Sequence, residues 1–259
     1  MLPSPTTQLD QAKTDLDQHG LCILPNVLDS KTLARAQTAL YAAAQSDRQH
    51  NRVVEDFGLD TNASNQRVWN LLSRDPVFSS LAEHPFTLEL VRHVIGWPAL
   101  LSNISGNIAG PGTSLGIRHA DQIFVPQPWP DKPQGVNIVW CIDDFTADNG
   151  ATLIAPRSHE LHRMPEPGDE QIDMVPLVAK AGSAVVFESR VWHQTGSNTT
   201  SDEYRGGIFA FYTTPVYRTQ ENWFLTLDAE FIDQASDELL TLLAYKTEGF
   251  GLVHGRSPR

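Results

Sequence analysis

The stretch Gly182-Ser183-Ala184-Val185-Val186-Phe187-Glu188-Ser189-Arg190-Val191-Trp192-His193, followed by Arg205-Gly206-Gly207, decides how this chain folds. Gly182 to Phe187 has the continuous apolar character of a buried strand, and Arg205 opens the next strand twelve residues after His193. Upstream lies His119-Ala120-Asp121. On a strand, side chains two apart share a face, so His119 and Asp121 would grip one cation while Ala120 points away. Taken alone, His-x-Asp is a weak tripeptide. Joined by His193 it becomes two imidazoles and one carboxylate, the donor set that holds ferrous iron on one face and leaves the other positions open for small ligands.

Working outward, the first third of the chain reads as helical. A helical pattern runs over Gln8 to Gln18 and ends at His19-Gly20, and a short strand follows at Leu21 to Leu24. Asp29-Ser30 precedes an alanine- and leucine-rich stretch through Ala44, Asp75-Pro76 starts another helix, and His84-Pro85 starts one that stops at Gly96. From Leu100 onward the pattern changes to strand-length runs at Ile117 to Val125, Gly135 to Ile142, Ala151 to Ala155, Met174 to Val178, Ser183 to Phe187 and Arg205 to Thr213, broken by Gly, Pro, Asn and Asp. Asp228 to Tyr245 reads as a closing helix. With neither an internal repeat nor a low-complexity linker, residues 1–259 are expected to form a single mainly β domain with flanking helices, a β-sandwich or jelly roll.

Composition narrows the class of function. Nineteen basic residues against thirty-one acidic ones leave a net charge of -12, which disfavours nucleic acid and anionic membranes as partners. Hydrophobic residues make up 41% of the chain, enough for a sizeable core, yet none of their runs approaches the roughly eighteen residues that span a bilayer. The segment from Met1 to Asp17 has neither the basic start nor the apolar stretch of a secretory signal, so a cytoplasmic location is expected. Cys22 and Cys141, both in strand-like apolar surroundings, read as buried free thiols. Asn198-Thr199-Thr200 then matches a glycosylation sequon only by coincidence. Oligomeric state is not legible.

Other residues compete for roles. His159 and His162, with Asp143, Asp144 or Asp148, offer a rival metal site, although Pro156-Arg157-Ser158 puts His159 in a turn. Arg205 has the planar fork that grips a carboxylate bidentately, and Gly206-Gly207 lets a small acid approach; the alternative is a surface ion pair with Asp202 or Glu203. The stiff loop Pro126-Gln127-Pro128-Trp129-Pro130-Asp131-Lys132-Pro133 is either a wall of the substrate mouth or a plain connector. Arg67-Val68-Trp69-Asn70-Leu71-Leu72 is either a second wall of the pocket or, the preferred reading, a segment whose Trp69 and Leu72 pack in the core, and Trp192 is expected to shield the third ligand.

The ensemble resembles the phytanoyl-CoA dioxygenase (PhyH) family of Fe(II)- and 2-oxoglutarate-dependent oxygenases. Its carriers are Asp15-Leu16-Asp17-Gln18-His19-Gly20-Leu21-Cys22-Ile23-Leu24-Pro25, His119-Ala120-Asp121-Gln122, Asp148-Asn149-Gly150-Ala151-Thr152, Pro156-Arg157-Ser158-His159, the block from Gly182 to Asn198, and Arg205-Gly206-Gly207. Arg157 departs from the pattern, in which Gly usually precedes Ser-His. The resemblance implies a double-stranded β-helix with an N-terminal helical layer, Fe(II) held by His119, Asp121 and His193, and O2 and 2-oxoglutarate as co-substrates. It also implies that Arg205 anchors the distal carboxylate of 2-oxoglutarate and that Thr152 offers it a hydroxyl, the alternative for Thr152 being a plain β-strand threonine. Halogenating relatives carry Gly or Ala in place of the carboxylate, so Asp121 implies hydroxylation as the default, or another hydrogen-abstraction outcome such as desaturation, epimerisation, ring expansion or endoperoxide formation, with release of succinate and CO2. The expected substrate is a small, fairly apolar metabolite such as a terpenoid, an alkaloid or a cyclic peptide intermediate, with an acyl-CoA as the second choice. A non-catalytic metal-binding β-sandwich is the alternative from another class.

Overall fold

The computed structural model describes residues 1–53 and 64–259. Its helices are α1 (Leu9–His19), α2 (Ser30–Gln49), α3 (Pro76–Ala82), α4 (Pro85–Ile95), α5 (Trp223–Thr226), α6 (Ala229–Gln234) and α7 (Asp237–Leu242). The strands are β1 (Leu21–Leu24), β2 (Asn65–Val68), β3 (Leu100–Ala109), β4 (Gly135–Cys141), β5 (Thr152–Ile154), β6 (Val175–Pro176), β7 (Ala184–Glu188), β8 (His193–Thr195) and β9 (Arg205–Thr213). They form a large sheet in the order β1-β7-β4-β9-β3-β2 and a small one in the order β6-β5-β8, every pairing antiparallel. Neither sheet closes into a barrel among the described residues. None of the described helices is long and apolar enough to cross a membrane.

Alternation along each strand divides the interior in two. In β4, Val136, Ile138 and Trp140 join Ile104, Val186, Ala210 and Tyr212 in packing against the helices, including Leu40 of α2, Phe78 of α3 and Leu88 of α4. Val139 and Cys141 point the other way, where they meet Val185, Phe187, Leu21 and Ile23 of the large sheet and Ile154 of the small one. Strands covered on both faces read as continuous apolar runs, which is why β4, β7 and β9 were recognisable. The helices start where side-chain caps allow: Asp29 accepts from Thr32 N at 2.8 Å, and Asp75 accepts from Val77 N at 2.8 Å with Pro76 in the first turn.

Three expectations need correction. The run from Ile117 to Val125 is not a strand: His119 makes one bridge to His193, and Asp121 to Phe124 then winds into a 3-10 turn. The tail is not one helix, because Ser236 caps a new one by accepting from Leu239 N at 2.9 Å, so α6 and α7 are separate. The strand expected over Met174 to Val178 shrinks to Val175–Pro176.

Two turns explain motif residues. Arg157 sits at φ +63 and ψ 11, the left-handed conformation that Gly enters without penalty and an L side chain enters at a cost of about 1–2 kcal/mol. Gly20 ends α1 at φ +73 with its N–H on Leu16 O at 2.9 Å. A Cβ on Gly20 would meet His159 Nδ1 at 2.7 Å and Val191 Cγ2 at 2.9 Å. Gly20→Ala therefore combines the left-handed penalty of about 1–2 kcal/mol with overpacking of about 1–3 kcal/mol, and is expected to cost about 3 kcal/mol in denaturant unfolding. A loss under about 1 kcal/mol would show that the two neighbours yield freely.

Candidate metal centre

The bridge between His119 and His193 is the scaffold of the site. His119 N donates to His193 O at 3.0 Å and His193 N donates to His119 O at 2.8 Å, so the two residues are neighbours through their backbones. Their rings lie 4.3 Å apart, centroid to centroid. Each ring is oriented through its other nitrogen: His119 Nδ1 meets Ile117 O at 2.8 Å and His193 Nδ1 meets Val191 O at 3.1 Å. A carbonyl beside Nδ1 fixes the proton there and leaves Nε2 as the free donor, the arrangement found on metal-binding histidines. The 3-10 turn then brings the Asp121 carboxylate between them, with Oδ1 3.6 Å from His119 Nε2 and Oδ2 3.5 Å from His193 Nε2.

All three donor atoms lie within 4.8 Å of one another. Ligands about 2.1 Å from a common ion at right angles are about 3 Å apart, so a small inward adjustment closes this set on a metal. The residues fit Fe(II): mixed imidazole and carboxylate donors on one side, with a cleft on the other. Burial drives the His193 imidazole down to about 4, favouring the neutral ligand form. Burial alone would raise the Asp121 carboxyl, but His193, His119 and Asn137 hold it well below the carboxylate range. Asp121 is thus a ready anion.

Asn137 touches the triad, and the sequence reading did not single it out. From β4 its Nδ2 donates to Asp121 Oδ2 at 2.6 Å, fixing the carboxylate's rotation. Loss of such an outer partner typically costs about 10–100-fold in metal affinity. Asn137→Leu is expected to weaken Fe(II) binding by that factor in a competitive metal titration, and unchanged affinity would remove Asn137 from the site. The readable signal was a lone Asn within the apolar run Val136 to Cys141.

The cleft beside the triad has a cavity volume of about 80 Å³ and opens to solvent. Phe209 and Phe211 of β9 line one part, Thr152 and Thr195 of the small sheet another, and Arg67, Trp69, Asn103 and Gln220 a third. The preferred core reading holds for Leu72 alone, and Trp69 takes the other reading, a wall of the cleft. The reason is Asn70, whose left-handed φ of 55 turns the chain between them. Arg67 is near enough for its charge to disfavour protonation of both triad histidines.

Arg205 is wholly buried and does not line the cleft. Its Nη2 and Nε donate to Gly150 O at 2.6 and 3.0 Å, and its guanidinium lies over the Phe145 ring at 4.8 Å. A surface ion pair is therefore not its role. It shares the inward face of β9 with Phe209 and Phe211, and Gly150, which receives its fork, lies two residues before Thr152. Among the described residues no second metal group forms around His159 or His162. His159 packs on Gly20 with its protonation pushed down to about 4 by burial, and His162 Nδ1 contacts Arg190 at 3.3 Å. The Pro-rich loop is a connector: Trp129 packs with Ala120, Ala155 and Trp192 behind the ligands, and Arg190 Nη1 binds Pro130 O and Asp131 O at 3.2 and 2.7 Å. Trp192 is buried in that cluster, as its shielding role required.

Two facing antiparallel sheets with a His-x-Asp…His set between them define a jelly-roll protein bearing the facial donor set of non-haem iron oxygenases. The sequence pattern of the family described as Phytanoyl-CoA dioxygenase (PhyH) matches residues 16–207, and the chain belongs to that family. It is 35% identical to the protein called Dioxygenase af480 of Aspergillus fumigatus over 247 residues, covering 95% of this chain and 80% of that one. The fold is shared with the epimerase SnoN of nogalamycin biosynthesis, in a complex with Fe3+, α-ketoglutarate and nogalamycin RO, at a TM-score of 0.64 and 19% identity over 89% of this chain and 93% of that one. It is shared too with HygX of Streptomyces hygroscopicus, with nickel, 2-oxoglutarate and hygromycin B bound, at a TM-score of 0.64 and 16% identity over 81% and 88% of the respective chains. The double-stranded β-helix implied by the sequence is the fold these neighbours have in common with this chain.

Proposed function

We propose that the chain is an Fe(II)- and 2-oxoglutarate-dependent dioxygenase that oxidises a small metabolite, hydroxylation being the default outcome, with release of succinate and CO2. The observation that carries this is the convergence of His119 Nε2, Asp121 and His193 Nε2 at the edge of an open cleft, in a member of a dioxygenase family. We assign these three as the iron ligands. When bound, iron supplies the redox centre at which O2 is reduced at the expense of 2-oxoglutarate and substrate.

The protein's own contributions follow from its side chains. Asn137 holds the Asp121 carboxylate in one rotation. Phe209 and Phe211 offer an apolar surface against which a substrate ring is excluded from water. Arg205 is assigned to the distal carboxylate of 2-oxoglutarate, exchanging Gly150 O for it, and Thr152, which does line the cleft, to a hydroxyl contact with the same molecule. Arg67 is a second candidate for the anchor, favoured by its place in the cleft wall. It is also the one Lys or Arg among the described lining residues, too little positive charge for the phosphates of an acyl-CoA, so a free metabolite is the better-supported substrate.

All 259 residues are taken to act as one unit. Cys22 and Cys141, buried and unpaired, support a reducing, cytoplasmic setting. The test is succinate release from 2-oxoglutarate by protein loaded anaerobically with Fe(II) and then exposed to O2. Release that requires iron and is abolished by a chelator is expected. No iron-dependent release, with or without a metabolite extract, would overturn the proposal in favour of a non-catalytic metal-binding role.

A further inference from the structure

Asn103 reaches the cleft only because β3 is bulged. Its register against β9 pairs Leu101 with Tyr212, skips Ser102, and resumes with Asn103 opposite Phe211. Without the extra residue Asn103 would sit opposite Ala210, on the face packed against the helices. Bulges of this kind re-aim side chains beside functional sites. The skipped residue is itself employed: Ser102 Oγ accepts from Gln220 N at 3.1 Å and Ser102 O accepts from Glu221 N at 2.9 Å. These two bonds pin the segment after β9 at the rim of the cleft, where Asn103 Nδ2 donates to Gln220 Oε1.

Two carboxamides joined by one such bond always leave one carbonyl oxygen and one amino group unused by it. Turning both amides over exchanges which residue offers which, but not the outcome. The pair therefore presents an acceptor and a donor side by side, next to the aromatic surface of Phe209 and Phe211, with Phe124 edge-on to Phe211 at 6.0 Å. A carboxylate would confront the acceptor with a second acceptor. A ketone or ether would leave it unmatched, and unmatched polar groups are what such a site discriminates against.

We infer that Asn103 and Gln220 form a specificity-determining pair that reads a neutral ring substituent able to donate and accept a hydrogen bond together: the N–H/C=O edge of a lactam or the hydroxyl of a cyclic alcohol. The inference rests on the oxygenase function proposed above, and names the substrate class of the same site.

The test uses the full chain loaded anaerobically with Fe(II) and titrated calorimetrically, first with 2-oxoglutarate alone. Failure of that titration would count against the oxygenase function rather than the pair. The loaded complex is then titrated with 3,4-dihydro-2(1H)-quinolinone and its N-methyl form, and with 2-tetralol and its O-methyl ether. At least one parent compound should bind about tenfold more tightly than its methylated partner, the size of a hydrogen bond retained or lost. The lactam and alcohol arms identify which group is preferred. In Asn103→Leu and Gln220→Met the preference should collapse; Gln220 is exposed, so its replacement tests the pair even where the buried Asn103 variant fails to fold. Equal binding of parent and methylated forms, a preference that survives Gln220→Met, or no binding by any of the four compounds would overturn the inference.

Discussion

Replacing His119, Asp121 or His193 by Ala is expected to reduce iron- and 2-oxoglutarate-dependent succinate formation to below about one hundredth of the wild-type rate. Outer-shell partners alone are worth about 10–100-fold, and a ligand is worth more. The fold should survive, because the contacts joining the two histidines are backbone bonds of 2.8 and 3.0 Å that no side-chain change removes. Near-native circular dichroism with loss of bound iron is the expected pair of results for each variant. Asp121→Gly is the more searching change. It opens a position on the iron while leaving both imidazoles oriented by Ile117 O and Val191 O, yet it removes the one anion of the set, so little hydroxylation is expected. Halogenation is not expected either, since an open position does not by itself steer a substrate towards halide. Substantial hydroxylation by Asp121→Gly would show that the carboxylate is not a required ligand.

The legible parts of this protein are those whose physics is local or periodic. β4, β7 and β9 announce themselves because both faces are covered, leaving uninterrupted apolar runs between turn residues. The three triad residues were found by residue type and order, although the expected strand at His119-Ala120-Asp121 is a single bridge followed by a 3-10 turn. A two-residue spacing suits either geometry, and the pattern alone does not separate them. Asn137 was missed because its contact with Asp121 depends on β4 passing beside that turn, sixteen residues away in sequence. The alternation of Asn103, Ser105 and Asn107 through a buried strand was a polar stripe in plain view. Its orientation, however, depends on a bulge at Ser102, and its partner Gln220 lies 117 residues on. Trp69 and Leu72 look alike as apolar residues three apart, and only the left-handed turn at Asn70 sends one to the cleft and the other to the core.

Arg205→Leu is expected to weaken 2-oxoglutarate binding at least tenfold while changing Fe(II) affinity little. Removing one partner of a buried charge pair typically costs about 2–5 kcal/mol, and about 1.4 kcal/mol is already tenfold. The wild-type guanidinium is held by Gly150 O and lies over Phe145, so the carboxylate must replace a carbonyl acceptor rather than fill an empty space. That exchange favours the charged ligand, because an ionised acceptor bonds a guanidinium about twice as strongly as a neutral one. Leu at this position also forfeits the bonds that tie β9 to Gly150, so Arg205→Lys is the sharper probe: it keeps the charge and loses the planar fork. It too should bind 2-oxoglutarate more weakly. The parallel variant Arg67→Leu separates the two arginines. With Arg205 as anchor, Arg67→Leu changes the 2-oxoglutarate titration by no more than about threefold, the range expected of a charge acting through a partly exposed cleft. The opposite ranking, wild-type affinity in both Arg205 variants and a tenfold loss in Arg67→Leu, would transfer the anchor to β2 and leave Arg205 as the buried tie between β9 and the turn at Gly150.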